Sequence, residues 1–348
     1  TTLFRSTWPG AKGTFLQDTA TSGRHRGGMD PELQPFLSLF PKAELDDPGA
    51  ARRRLAELSA AVPAPDTAGL RISDRIVPGH PDIPVRVYQP AEPIGAVLWL
   101  RGGGFVMGDL DTEHPWAARI AQATGAVVVS VGYRCAPENP YPAALDDVYQ
   151  ALKWVAVNAP QLGVEPSRIA VGGHAAGANL AAAAALRARD EGGPRIAFQL
   201  LNQPPLDDRQ RSWSARTFTD TVFMTRDKVA ASWRHYLGGR PASAYAAPAR
   251  AEELSGLPPT YLATAEFDPN RDEALEFGIR LLQAGVSVEL HQWPGTFHGS
   301  QVILGADVSQ RQLAELGGAL RRGLAAGAGL FGYTDALQLR GGGDRKST

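Results

Sequence analysis

The sequence predicts an α/β fold, a mostly parallel sheet covered by helices on both faces. Three observations carry this. Short apolar runs alternate with helical patterns over most of the 348 residues. Two of those runs, residues 96–100 and 126–131, are apolar except for Ser130, as strands buried on both faces are. Residues 173–177, Gly-His-Ala-Ala-Gly, join one such strand to an Ala-rich helix through a tight turn that its glycines permit.

In chain order, residues 30–62 read as helices, including 52–61, and strands follow at 70–77 and 85–88. The buried runs at 96–100 and 126–131 are separated by a helix at 115–123, and a second helix covers 143–157. Strand 168–171 leads into the Gly-flanked turn and helix 179–189. Strands at 197–201, 261–264 and 286–292, with helices at 272–283 and 309–321, continue the alternation that a parallel sheet requires. Residues 207–250 break it and carry Trp213, Phe218, Phe223, Trp233, Tyr236 and Tyr245. They read as a helical insertion; aromatic groups in a cap over an active site would line an apolar pocket. The folded domain is expected over 29–325, with a cap from 30–62 and 207–240. Residues 1–28 read as a disordered or tag-like N-terminus and 326–348 as a loose tail.

Composition narrows the function. A hydrophobic content of 43% supports a sizeable core, and a net charge of −1 offers no field for nucleic acid or an anionic membrane. The single cysteine, Cys135, excludes an intrachain disulfide. No apolar stretch approaches the ~18 residues of a membrane span, and the N-terminus lacks a signal-peptide core. A cytoplasmic protein is expected. Metal-ligand spacings and a Walker lysine are both missing from the sequence, so neither a metal nor a phosphate cofactor is expected.

The chemistry rests on four signals. A Gly-x-Ser-x-Gly turn between strand and helix presents a serine nucleophile; here Ala175 holds the middle position, and a methyl group cannot attack a carbonyl. Residues 101–104, Arg-Gly-Gly-Gly, follow a buried strand, and the amides of Gly103, Gly104 and Ala176 are candidates for an oxyanion hole. Asp268 follows the 261–264 strand and is the candidate acid, with Asp272 as the cap of the next helix. His298, in Pro-Gly-Thr-Phe-His-Gly, is the candidate base. Each signal alone is weak. Together they stand in the order nucleophile, acid, base, each at a strand end. Phe105, Met107, His174, Trp213 and Phe223 are the candidate substrate-binding residues.

These residues resemble the bacterial hormone-sensitive-lipase family of α/β-hydrolases, and within it the heroin-esterase-like carboxylesterases. The likeness lies in Arg101-Gly-Gly-Gly-Phe105, Tyr133-Arg-Cys-Ala-Pro-Glu138, Gly173-His-Ala-Ala-Gly177, Asp268-Pro-Asn-Arg-Asp272 and His298-Gly299. It spans roughly residues 30–325. It implies the α/β-hydrolase fold with an eight-stranded sheet, a helical cap, hydrolysis of short acyl or aryl esters without cofactor or metal, and homodimers like those common in similar proteins. Two positions depart from the family pattern: Ala175 stands for the serine, and Arg101 for the histidine before the glycines. A single Ser→Ala change explains only the first; drift after loss of hydrolysis explains both. Three functions therefore stay open: a disabled or attenuated carboxylesterase, a non-catalytic small-molecule-binding protein, and a non-hydrolytic enzyme using the His298–Asp268 pair.

Overall fold

The computed structural model describes residues 28–40, 45–62 and 64–326. The expectations for residues 1–27 and 327–348 lie outside them. Eight strands form one sheet: β1 (Leu70–Val77), β2 (Ile83–Pro90), β3 (Ala96–Leu100), β4 (Val127–Val131), β5 (Ile169–His174), β6 (Phe198–Asn202), β7 (Thr260–Phe267) and β8 (Val288–Phe297). Their order is β1-β2-β4-β3-β5-β6-β7-β8. The pairs β1–β2 and β2–β4 are antiparallel, and all other neighbours are parallel. The helices are α1 (Pro48–Ala61), α2 (Leu110–Thr124), α3 (Ala143–Asn158), α4 (Ala176–Asp190), α5 (Trp213–Thr217), α6 (Arg226–Leu237), α7 (Arg271–Gln283) and α8 (Asp307–Ala326).

The apolar runs are strands because the sheet is buried on both faces. Successive side chains of a strand point to opposite faces. Leu98, Leu100, Val127 and Val129 enter the core beneath α3, α4 and α7, while Val97, Trp99 and Val128 enter the core beneath α2 and α8. Each fully buried Val or Leu contributes about 1.5–3 kcal/mol, so a one-residue slip in these central strands would be heavily penalised. Helix α4 carries the alanine run Ala181–Ala185, entirely buried, which lets it lie close against β3, β5 and β6.

Helix α2 begins earlier than its pattern suggests. Pro115 reads as a helix start, yet the helix opens at Leu110. The Asp109 side chain accepts from the amides of Asp111 (3.0 Å) and Thr112 (2.8 Å), and Thr112 Oγ1 accepts from Asp109 N at 2.8 Å. This reciprocal capping satisfies orphan amides at the helix start and fixes it there, with Pro115 inside. Asp272 does not cap α7. The residue before that helix is Asn270, whose amide donates to Asp268 Oδ1 (2.9 Å), while Asp272 Oδ2 accepts from Ser214 N (2.8 Å) and ties α5 to α7.

Candidate active site

Ala175 sits between β5 and α4 with φ 46° and ψ −118°. A non-glycine residue pays on the order of 1–3 kcal/mol for such a conformation, and it persists only where its surroundings enforce it. Here the enforcement is visible. Ala175 N donates to Asn202 O at 2.9 Å, and Ala175 O accepts from Asn179 N at 3.1 Å. The flanking glycines let the turn press onto the end of β3. A Cβ on Gly173 would lie 2.3 Å from Leu100 O, and one on Gly177 only 2.0 Å from it.

Asp268 and His298 follow the adjacent strands β7 and β8, so the parallel register delivers both to one end of the sheet. Their side chains meet: His298 Nδ1 lies 2.7 Å from Asp268 Oδ2, with the residues 3% and 1% exposed. With Nδ1 committed to the carboxylate, Nε2 is the nitrogen left to take a proton. The His298 loop is tethered to the elbow through residues that the sequence reading missed. Gln203 directly follows Asn202, its Oε1 accepts from Gly299 N (2.8 Å), and its own amide donates to Ala263 O (2.7 Å). A glutamine at the end of an apolar strand carries no sequence signal that separates it from any turn residue.

The glycine loop lies beside the elbow: a Cβ built on Gly102 would be 3.7 Å from the Ala175 methyl. Gly103, Gly104 and Phe105 all have positive φ, of 115°, 58° and 65°. Gly103 O accepts from the amides of Val106 (3.0 Å) and Met107 (3.1 Å), closing the turn. The amides of Gly103, Gly104 and Ala176 meet no protein acceptor among the described residues.

Arg101 turns away from this loop and into the protein. It is 3% exposed, and its guanidinium lies 3.7 Å from the centre of the Tyr133 ring. Nη1 donates to Val131 O (3.1 Å), and Nη2 to Tyr133 O (2.8 Å) and Cys135 Sγ (3.0 Å). Tyr133 returns the contact, its hydroxyl donating to Arg101 O at 2.8 Å.

The candidate lining residues divide. Met107 and Phe223 do line an apolar cleft, together with Leu45, Ala51, Leu55, Leu58 and Met224, with Arg54 and Lys228 at its edge. The Phe223 ring also lies near-parallel to the His298 imidazole, 6.4 Å away. Phe105 is fully buried and stacks on Tyr236 of α6 at 3.9 Å. Two lie outside this cleft. Trp213 is 55% exposed, packing edge-on against Phe218 with the Arg271 guanidinium over its ring. His174 is still part of β5, and strand alternation sends its side chain to the core beneath α2 and α8. There it packs edge-on against Trp99 and Trp116 and meets Asn202 Nδ2 at 2.9 Å. Burial, with a smaller effect from His298, pushes its pKa down to about 3, so it is neutral.

Behind the glycine loop, Glu113 of α2 accepts a hydrogen bond from Trp99 Nε1 at 2.7 Å. Burial of its carboxyl raises the pKa to about 7, against the opposing pull of Trp99 and Arg101. The described residues contain one acid–histidine trio of metal-binding geometry, Glu289, His291 and Glu315. Arg322 donates to both carboxylates at 2.8 Å, at the far end of β8 from His298. No helix among the described residues is long and apolar enough to cross a membrane.

Comparison with known proteins agrees with this architecture. A family model described as alpha/beta hydrolase fold matches residues 97–302. Carboxylesterase NlhH of Mycobacterium tuberculosis is 42% identical over 290 residues, covering 79% of this chain and 89% of its own. The solved bacterial heroin esterase is 43% identical with a TM-score of 0.82, over 86% of this chain and 99% of that one. A serine-to-alanine mutant of esterase rPPE, solved in complex with (S)-Ac-CPA, is 31% identical with a TM-score of 0.81, over 88% of this chain and 99% of that one. With an elbow at Ala175, a carboxylate–imidazole pair at the ends of β7 and β8, and relatives that are carboxylesterases along most of its length, this chain belongs to the hormone-sensitive-lipase-like family of α/β-hydrolases.

Proposed function

We propose that this protein is a carboxylic-ester hydrolase by descent that binds short acyl or aryl esters and, with Ala175 in the nucleophile's place, hydrolyses them very slowly. The observation that carries this is the buried Asp268–His298 pair, kept at 2.7 Å beside an elbow whose φ of 46° a methyl side chain does not need. In this reading the segments 30–62 and 207–240 form the cap, and the cleft between Met107, Phe223 and α1 takes the apolar part of the ester. Gly103, Gly104 and Ala176 offer amides to the carbonyl oxygen as it becomes negative. The reading includes a cytoplasmic protein that works without cofactor or metal, as a monomer or homodimer.

Ala175→Ser tests it. The serine oxygen would attack the ester carbonyl and pass its proton to His298 Nε2. The imidazolium, held by Asp268, would return that proton to the departing alkoxide, and water would then release the acid by the same relay. Loss of a triad nucleophile costs about 10⁶ in kcat where it has been measured, because the members act as a unit. The reversion is therefore expected to raise p-nitrophenyl acetate or butyrate hydrolysis by several orders of magnitude. If neither Ala175→Ser nor its combination with Arg101→His exceeds the parent protein, the pocket serves another chemistry. Ala175 itself favours a second reading, a small-molecule-binding protein without catalysis. Saturable ester binding with no gain on reversion would support that one. The serine-to-alanine rPPE complex shows a ligand with a solved relative that carries such a change, and so supports binding without the hydroxyl.

A further inference from the structure

The loop that carries Gly103 and Gly104 is gripped from outside the hydrolase core. Arg52 lies on α1, in the segment read as cap. Its Nε donates to Val106 O at 2.7 Å and its Nη2 to Ala136 O at 3.0 Å. Glu138 orients the guanidinium through two parallel bonds, Nη1 to Oε1 (2.8 Å) and Nη2 to Oε2 (2.7 Å). The neighbouring carbonyl, Phe105 O, accepts from Ala136 N at 2.9 Å. The carbonyls of residues 105 and 106 are thus both fixed, one by the 136 segment and one by a side chain of the cap. Peptide planes are rigid, so fixing these two carbonyls restrains the C-terminal half of the turn whose amides are proposed to hold the oxyanion.

The loop also touches the cap directly. A Cβ on Gly104 would lie 2.8 Å from Ser232 Oγ on α6 and 3.3 Å from Leu45 Cδ1. An exposed Arg–Glu pair contributes little stability by itself, and Glu138 is 57% exposed. What sets Arg52 apart is the planar fork: with one edge taken by Glu138, its remaining hydrogens can aim only at carbonyls in the plane.

We propose that Arg52 is a positioning residue that couples the seating of α1 to the shape of the glycine loop, so that the oxyanion donors are aligned only when the cap is docked. The inference rests on the ester-hydrolase reading for its catalytic consequence, but not for its structural one. Two measurements separate them. In the protein as it stands, Arg52→Gln should speed amide hydrogen exchange at Val106 and Met107, whose amides are bonded to Gly103 O, by about tenfold or more, with β5 unchanged and Arg52→Lys intermediate. On the Ala175→Ser background, Arg52→Gln should lower kcat by about tenfold or more with KM within about twofold, since oxyanion donors act mainly in the transition state. Glu138→Gln, on the surface, should move both readouts the same way by less, and it serves if Arg52→Gln does not fold. Unchanged loop exchange, or a rise in KM with kcat intact, overturns the proposal. If Ala175→Ser is inactive while loop exchange responds as stated, the coupling stands and the esterase reading fails.

Discussion

Arg101→Ala is the perturbation whose cost can best be worked from the structure. The change removes two charge-assisted hydrogen bonds to the carbonyls of Val131 and Tyr133, at about 1.5–3 kcal/mol each. It removes a guanidinium held 3.7 Å over the Tyr133 ring, at about 1–2 kcal/mol. Against this stands relief of the desolvation of a buried cation, several kcal/mol per ion, made larger here because Nε finds no partner among the described residues. The gross loss of about 4–8 kcal/mol is thus cut to a net of about 2–4 kcal/mol. At roughly 2 °C per kcal/mol for a chain of this size, Tm should fall by about 4–8 °C in scanning calorimetry. Tyr133, freed from the stack, should also hold Arg101 O less firmly, and the Val106 and Met107 amides that close the turn onto Gly103 O should exchange faster. A Tm that rises, or falls by less than about 1 °C with loop exchange unchanged, would mean that the buried cation costs as much as its contacts return, refuting its role as an anchor.

Two further outcomes follow from the same geometry. The folded state holds His174 neutral, its pKa lowered from the ordinary 6.5 to about 3, so its contribution is full above pH 6.5 and is lost as pH falls through the unfolded value toward 3. Glu113 works the other way, raised by burial of its carboxyl from 4.5 to about 7, so its contribution is full below pH 4.5 and is lost as pH rises through 7. The two oppose each other between pH 4.5 and 6.5, so Glu113→Gln should uncover a rise in urea-measured stability over that window, and a variant as flat there as the parent would contradict the assignment. Phe223→Ala should weaken binding of an aryl ester by about tenfold, as loss of one buried aromatic wall does, while Trp213→Ala should leave it unchanged; calorimetric titration that finds the two variants alike would dissolve the distinction between cleft and surface.

The fold was legible because its signals are local. The apolar runs 96–100 and 126–131 are strands by pattern alone, and Gly173 and Gly177 announce a turn that only small residues can make. Asp268 and His298 were legible as the polar residues that follow strands in the right order. What stayed hidden depends on partners distant in sequence or on which face an element presents. Trp213 read as cap lining because aromaticity says nothing about the outward side of a five-residue helix. His174 read as a turn residue, whereas the alternation of β5 runs through it and turns it to the far core. Arg101 finds its acceptors in the 131–135 segment and Arg52 one of its own at Ala136, thirty or more residues away in each case. No pattern in the glycine loop names those carbonyls.

The contact between Gly104 and Ser232 bears on how this scaffold can be recombined. A helix transplanted from a relative in place of α6 would bring its own residue to position 232, opposite a glycine whose added Cβ would lie 2.8 Å from Ser232 Oγ. A bulkier residue at 232 would approach Gly104, whose φ of 58° suits glycine and little else. Chimeras that exchange α6 therefore do best to carry the glycine loop with it. In this architecture the two would be inherited as one module, even though well over a hundred residues of chain lie between them.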